Sequence, residues 1–322
     1  MINVTAICRR ATRLVISFSL ALAGCDGRDK SPRILVALPT VANPYWQAMA
    51  SAIRSVPDSA IIDVQAGSED TDAKQQIEVL ATYLRTRRVA ALVLGPASAT
   101  ALVPTVAQYN LRHIPVIVVD SRLDSSELAK AGAHMDVLVT SENRQGGRVA
   151  ARRIASILGP KVRRVLIIAG SPVHETAHAR SAGFRDAAQP AWRIEEKTAN
   201  WNRDEANRLV RAVAGGSVPD AIFAANDEMA LGAVTALQAL GVSAAKWPVI
   251  VGFDATPDGR AAVSSGKMCA TVAQQPEEIG RQAMALARDL AKGGITTHRE
   301  VLVDVVLVGD STGSGCRMPS GK

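Results

Sequence analysis

The sequence predicts an α/β protein whose strands are divided between two parallel sheets, and three observations predict it. Short aliphatic and β-branched runs recur from residue 34 to residue 308. Most of these runs are continuously apolar rather than alternating, as strands buried on both faces must be. Helical patterns lie between many of them, and strand-helix alternation at this spacing builds right-handed crossover units and doubly wound sheets.

In chain order the strand runs fall at 34–38, 61–64, 91–94, 116–119, 137–139, 165–169, 194–196, 221–224, 249–251, 271–273 and 301–308. Helical patterns occupy 72–87, 98–110, 144–158, 203–213, 227–240 and 276–292. So many strands would overfill one compact sheet, which is why two are expected. The chain has 322 residues, 48% of them hydrophobic and 21% charged, enough apolar material for two medium α/β domains. A mean hydropathy of +0.10 and the absence of long charge runs argue against disorder.

The N-terminus reads as an export signal. Arg9, Arg10 and Arg13 precede an apolar stretch from Leu14 to Ala23, too short to span a bilayer comfortably, followed by Leu22-Ala23-Gly24-Cys25. That tetrad resembles the bacterial lipobox, which implies removal of residues 1–24, diacylation of Cys25 and a lipid-anchored protein on the periplasmic side of the inner membrane; Asp26 favours retention there. The segment carries three arginines and no acid, so the net charge falls from +7 to +4 on its removal. No basic stripe interleaved with aromatics points to nucleic acid. Cys8 leaves with the signal, and Cys269 and Cys316 remain, 47 positions apart. An oxidising compartment permits them to pair; the preferred reading has Cys269 as a small buried residue in an apolar run and Cys316 as a tail thiol. No metal-type cysteine spacing exists.

Function-bearing residues gather at the strand ends, where parallel sheets bind ligands. Apolar runs end in Leu38-Pro39-Thr40 with Asn43 beyond, Val119-Asp120, Ala225-Asn226-Asp227, Phe253-Asp254 and Ala273-Gln274. Some of these polar residues serve as helix caps: Asp227 is expected to cap the helix from Met229, and Thr40 or Asn43 the first helix. Capping does not account for Gln274.

These ends carry a family resemblance. Val218-Pro219-Asp220-Ala221-Ile222-Phe223-Ala224-Ala225-Asn226-Asp227-Glu228-Met229-Ala230-Leu231-Gly232-Ala233 is the strongest block. It is followed by Val251-Gly252-Phe253-Asp254-Ala255-Thr256-Pro257-Asp258-Gly259 and Ala270-Thr271-Val272-Ala273-Gln274-Gln275-Pro276, and preceded by Ala42-Asn43-Pro44-Tyr45-Trp46 and Glu142-Asn143-Arg144-Gln145-Gly146-Gly147. The chain resembles the ribose-binding-protein branch of the type I periplasmic binding proteins from Arg33 to Val308. The resemblance implies two Rossmann-like lobes joined by a three-strand hinge near Ser141, Gln274–Gln275 and Asp304. Lobe one is then 32–140 plus 275–304 and lobe two 141–274 plus 305–318, with 25–31 a linker and 319–322 a tail.

It also implies a sugar pocket. Asn43, Tyr45, Trp46 and Asp120 come from the first lobe, and Arg180, Trp201, Asn226, Asp254 and Gln274 from the second; Arg180 opens the stretch Arg180-Ser181-Ala182-Gly183-Phe184, which matches the family's Arg-x-x-Gly-Phe. The chemistry is coherent by itself. Flat rings cover the C–H faces of a sugar, Asp accepts from hydroxyls, Asn and Gln do both, and Arg donates in a fixed fork. Trp192 and Trp247 are expected in the core. Two departures stand out: Ser121 follows Asp120 where the branch has Arg, leaving Arg122 one position late, and Gly95 replaces an Asn after the third strand.

The expected partners are a monosaccharide or polyol and an ABC permease, with the alternative of a chemoreceptor or sensor kinase; the protein is read as a monomer, without cofactor, and not an enzyme. A LacI-type regulator shares the core but needs an N-terminal DNA-binding domain, which residues 1–30 do not supply. His174-Glu175-Thr176-Ala177-His178 fits the zinc-hydrolase pattern His-Glu-x-x-His, a remote alternative that needs a third ligand. Gly309-Asp310-Ser311-Thr312-Gly313 lacks downstream triad partners, and Ser264-Ser265-Gly266-Lys267 lacks its companion motifs.

The lipobox reading is checked by fractionation. Cys25→Ser should abolish lipid labelling and leave the protein soluble or unprocessed; a variant that partitions with membranes as the wild type does overturns the lipobox reading.

Overall fold

A computed structural model describes residues 33–56, 61–67, 72–161, 163–295 and 300–309. The signal, Cys25 and Cys316 lie outside the described residues. No described helix is long and apolar enough to cross a membrane.

The chain begins with β1 (Arg33–Thr40), α1 (Pro44–Ser55), β2 (Ile61–Gly67), α2 (Ala73–Thr86), β3 (Val89–Leu94), α3 (Val103–Asn110), β4 (Val116–Val119), α4 (Ser125–Ala131) and β5 (Val137–Ser141). It continues through α5 (Asn143–Leu158), β6 (Arg164–Ala169), α6 (Glu175–Ala187), β7 (Arg193–Thr198), α7 (Arg203–Gly216), β8 (Ala221–Ala224), α8 (Asp227–Ala239), β9 (Val249–Asp254), α9 (Pro257–Ser264) and β10 (Ala270–Ala273). It ends with α10 (Pro276–Ala291), β11 (Glu300–Val303) and β12 (Val306–Val308). Two six-stranded sheets result, ordered β11-β5-β4-β3-β1-β2 and β12-β10-β9-β8-β6-β7. The chain therefore passes between sheets after β5, after β10 and after β11.

The expected strand at 301–308 is in fact two. β11 pairs parallel with β5, and β12 pairs antiparallel with β10. The carboxyl ends of the two sheets face each other, so an extended segment running straight across is parallel to one sheet and antiparallel to the other. The helix expected from 98 starts only at Val103. Asn226, not Asp227, caps α8: its Oδ1 accepts from the Met229 N–H at 2.9 Å.

Each sheet is packed on both faces. Ile34, Val36 and Leu38 of β1 meet α1 and α10, while Leu35 and Ala37 face the other way toward α2 and α3. In the second sheet Ile222 and Ala224 pack with α7 and α8, and Ala221 and Phe223 with α5 and α6. This two-sided burial explains why the strands read as unbroken apolar runs. Cys269 belongs to the last of these cores and is 4% exposed.

Two features lock the second lobe. α5 and α6 cross at backbone contact: a Cβ on Gly147 would lie 2.1 Å from the Arg180 carbonyl oxygen, and one on Gly183 1.9 Å from that of Arg144. Asp227 is fully buried. Its Oδ2 accepts from the Thr256 N–H at 2.8 Å and the Thr256 hydroxyl at 3.1 Å, and its Oδ1 from the Thr271 hydroxyl at 2.7 Å. Those hydroxyls accept in turn from the Gly259 and Ala255 N–H groups. One carboxyl thus joins α8, α9 and β10 and fixes the turn after β9. Burial pushes its pKa up to about 7, against the pull of the Thr271 and Thr256 hydrogen bonds.

Both locks are testable. Gly183→Ala should lower unfolding stability by ~1–3 kcal/mol in urea titrations, the cost of forcing packed elements apart; a loss under ~0.5 kcal/mol would show slack at the crossing. Since the folded protein holds the Asp227 proton that the unfolded chain releases near pH 4, this group's contribution to stability declines as pH rises from about 4 to about 7. Asp227→Asn should flatten that slope; an unchanged slope would place the carboxyl's titration elsewhere.

Candidate functional site

The nine residues expected at a pocket line a single cavity between the lobes, together with Pro39, Pro96, His174 and Thr176. Strand ends and helix starts put them there. Asn43, Tyr45 and Trp46 sit where β1 gives way to α1, with Asn43 as cap, its Oδ1 accepting from the Tyr45 N–H at 3.0 Å. Asp120 follows β4. Across the cleft, Arg180 projects from α6, Trp201 from the β7–α7 connection, Asn226 from the start of α8, Asp254 from the end of β9 and Gln274 from just past β10. The free space in the cavity is small, about 40 Å³.

Arg180 is 3% exposed and held by several elements of the second lobe. Its Nε donates to Asn143 Oδ1 at 2.8 Å and its Nη1 to the Ala225 carbonyl at 2.7 Å, with the guanidinium carbon 3.9 Å from the centre of the Phe253 ring. Nη1 also lies 3.6 Å from Asp254 Oδ1. Asn143 donates onward to Thr140 Oγ1 and the Ser141 carbonyl, and the Thr140 hydroxyl donates to the Asp120 carbonyl. A hydrogen-bonded path thus runs from Arg180 through the first interlobe crossing to Asp120.

The carboxylates are half-satisfied. The Tyr45 hydroxyl donates to Asp120 Oδ1 at 2.9 Å, and Gln274 Nε2 to Asp254 Oδ1 at 2.6 Å. Burial drives the Asp254 pKa well above the ordinary carboxyl range, with Arg180 pulling the other way. Burial and the neighbouring Asp120 likewise raise the Tyr45 phenol, which keeps it a neutral donor. Gln274 Oε1 is buried with no hydrogen-bond partner among the described residues. An acceptor left bare in a closed cavity costs free energy that an incoming donor would return.

Backbone geometry aims these groups. Six non-glycine residues among those described have positive φ, and three of them line the cavity: Asp120 at 66°, Trp201 at 65° and Asp254 at 104°. Such conformations are costly and cluster where side-chain direction matters more than stability.

The aromatic walls depend on missing Cβ atoms. A Cβ at Gly95 would stand 2.9 Å from the Trp46 ring, and one at Gly170 2.1 Å from the Trp201 ring. Gly95 therefore accounts for one departure noted in the sequence, because the indole of Trp46 occupies space that an Asn side chain there would need. Arg122 does not make up for the other departure. It pairs with Glu300 at 2.8 Å, away from the cavity, and Ser121 is buried beside the site without lining it.

Trp192 packs against Phe184, and Trp247 Nε1 donates to the Lys267 carbonyl; neither lines the cavity. The two histidines of the zinc-like motif diverge. His174 is buried at the cavity with both ring nitrogens engaged, Nε2 with the Ala97 carbonyl and Nδ1 with Trp201 Nε1, whereas His178 is bonded to the Pro172 carbonyl at the surface. No cluster of metal-ligating side chains is present among the described residues. Ser264 ends α9, and Gly266, at φ 72°, makes the turn before Lys267. Of the cavity residues the sequence did not assign, Pro39 stood in a strand-end string and His174 and Thr176 in the His-Glu-x-x-His stretch, Thr176 at one of its variable positions, while Pro96 carried no signal.

The chain is similar to known proteins in sequence and in fold. The family model for the periplasmic binding protein domain matches residues 34–295. The ribose import binding protein of Haemophilus influenzae is 32% identical, the alignment covering 88% of this chain and 94% of that protein. The D-allose-binding periplasmic protein of Escherichia coli is 30% identical over 80% of this chain and 84% of its own length. Among solved structures, an Actinobacillus succinogenes periplasmic solute-binding protein with bound D-allose superimposes with a TM-score of 0.80 at 26% identity, over 88% of this chain and 99% of that one. Agreement of this extent, in sequence and in the two-sheet architecture alike, makes the chain a member of the periplasmic binding protein family.

Proposed function

We propose that this protein is the substrate-binding component of an ABC-type sugar importer, closing its two lobes on one monosaccharide or cyclic polyol at the periplasmic face of the inner membrane. The observation that carries the reading is the cavity itself: indoles from both lobes, carboxylates from both lobes, a fixed guanidinium and an unpaired amide oxygen converge on one small space. Rings suit the C–H faces of a sugar and the paired donors and acceptors suit its hydroxyls. The kinship supports the same reading, since relatives at 30% identity or more are import binding proteins for ribose or a binding protein for allose.

The protein works by capture and delivery, and makes or breaks no bond. Residues 32–140 with 275–304, and 141–274 with 305–318, are the bodies that move, and the ligand favours the closed state because it touches both. A permease receives the loaded monomer, and Cys25 tethers it nearby. Import is favoured over sensing by the import proteins among its relatives.

Calorimetry against D-ribose, D-allose, D-apiose and myo-inositol should find a one-to-one ligand. Arg180→Ala and Asp254→Ala should each weaken it by ~1.5–3 kcal/mol, the range for hydrogen bonds to charged groups, and leave folding intact. Tryptophan emission should respond to the same sugar, less in Trp46→Phe and Trp201→Phe and undiminished in Trp247→Phe. No binding across the panel, or affinity indifferent to both charge removals, would overturn the reading.

A further inference from the structure

His174 occupies the N-cap position of α6, yet its side chain makes no capping bond. Caps are normally Ser, Thr, Asp or Asn, whose oxygens serve the helix's first N–H groups. Here the imidazole reaches away from its own helix and spans the cleft. Nε2 lies 3.2 Å from the carbonyl of Ala97, in the β3–α3 connection of the first lobe, and Nδ1 lies 2.9 Å from Nε1 of Trp201 in the second. A carbonyl only accepts and an indole N–H only donates, so Nε2 carries the proton and Nδ1 is bare. The two rings are also stacked, with centroids 6.1 Å apart.

The far end of this contact is rigid. Ala97 is fully buried, and its N–H donates to Oε1 of Gln76, a buried side chain whose Nε2 donates to the Gly95 carbonyl at 2.7 Å. The contact also sits where leverage is large. β6, which leads into the His174 loop, is four strand positions from β12 at the hinge edge, roughly 19 Å at sheet spacing.

We infer that His174 is a positioning residue that latches the closed cleft: as the Nε2–H tautomer it donates across to the first lobe and braces the Trp201 indole on the second. Its effect on affinity rests on the sugar-binding reading above; the latch itself does not. Opening the cleft breaks the bond to Ala97, and losing the imidazole frees the indole, so stacking and closure are coupled through one ring.

Nitrogen-15 NMR of the sugar-free protein should show a bare Nδ1 and a protonated Nε2 at neutral pH; an Nδ1–H tautomer overturns the assignment whatever any variant does. Small-angle scattering without sugar should give a larger radius of gyration for His174→Phe than for the wild type, and equal values overturn the latch. With D-ribose or D-allose as probe, dissociation should be about tenfold faster in His174→Phe, the loss of about one hydrogen bond's free energy, and return to within about threefold of wild type in His174→Gln, whose amide both donates and accepts. Unchanged dissociation in His174→Phe, or no rescue by Gln, overturns the role. If neither sugar binds the wild type, the sugar-binding reading fails for these ligands while the NMR and scattering still decide the latch.

Discussion

The guanidinium of Arg180 is the point on which the site depends. It is a charge removed from water, and such a charge persists only where its donors are met. Asn143 and the Ala225 carbonyl meet two of them, Phe253 covers a face, and Asp254 stands close by. These partners come from the start of α5, the end of β8 and the end of β9, so α5, α6, β8 and β9 must all be in register before the fork can be held. That requirement explains the two glycines at the α5–α6 crossing, where any side chain would push α6, and Arg180 with it, away from the rest.

The same economy of space governs the aromatic walls. An indole brought against a strand end needs the backbone beside it to be bare. Gly95 and Gly170 do this for Trp46 and Trp201, one in each lobe. The pocket exchanges a possible polar contact near Gly95 for a broader apolar face.

Much of this was legible in the sequence because it follows from solvent. Strands buried on both faces must be apolar throughout, and polar residues that interrupt them at one end must face the cleft; of the nine expected residues that line the cavity, eight stood at such ends or in motifs of the resemblance, and Trp201 came from the resemblance alone. What stayed hidden depends on distances the linear pattern does not encode. Asn226 and Asp227 are adjacent and both chemically able to cap, and only the approach of Thr256 and Thr271 draws Asp227 into the core and leaves Asn226 at the helix end. The split of the last apolar run into β11 and β12 follows from the facing of the two sheets, not from any break in hydrophobicity. His174 stood in a motif whose local pattern suggested a metal, while its partners, Ala97 and Trp201, are distant in sequence.

The return of the chain to the first sheet has a consequence for how the molecule assembles. β1 to β5 are complete by residue 141, but the face they present to α1 is closed by Ile279, Ala283, Met284 and Ala287 of α10, and the sheet's edge by β11. The second sheet needs only the continuous stretch from β6 to β10, with the short β12 added last. As the chain emerges from its N-terminus, the lobe begun first is therefore the lobe finished last, and it must wait with an apolar face uncovered for more than a hundred residues. Contacts of such long sequence separation are slow to form, and an exposed face of this kind is open to aggregation in the interval. The later, more local lobe is positioned to fold first and to serve as the platform on which the earlier one closes.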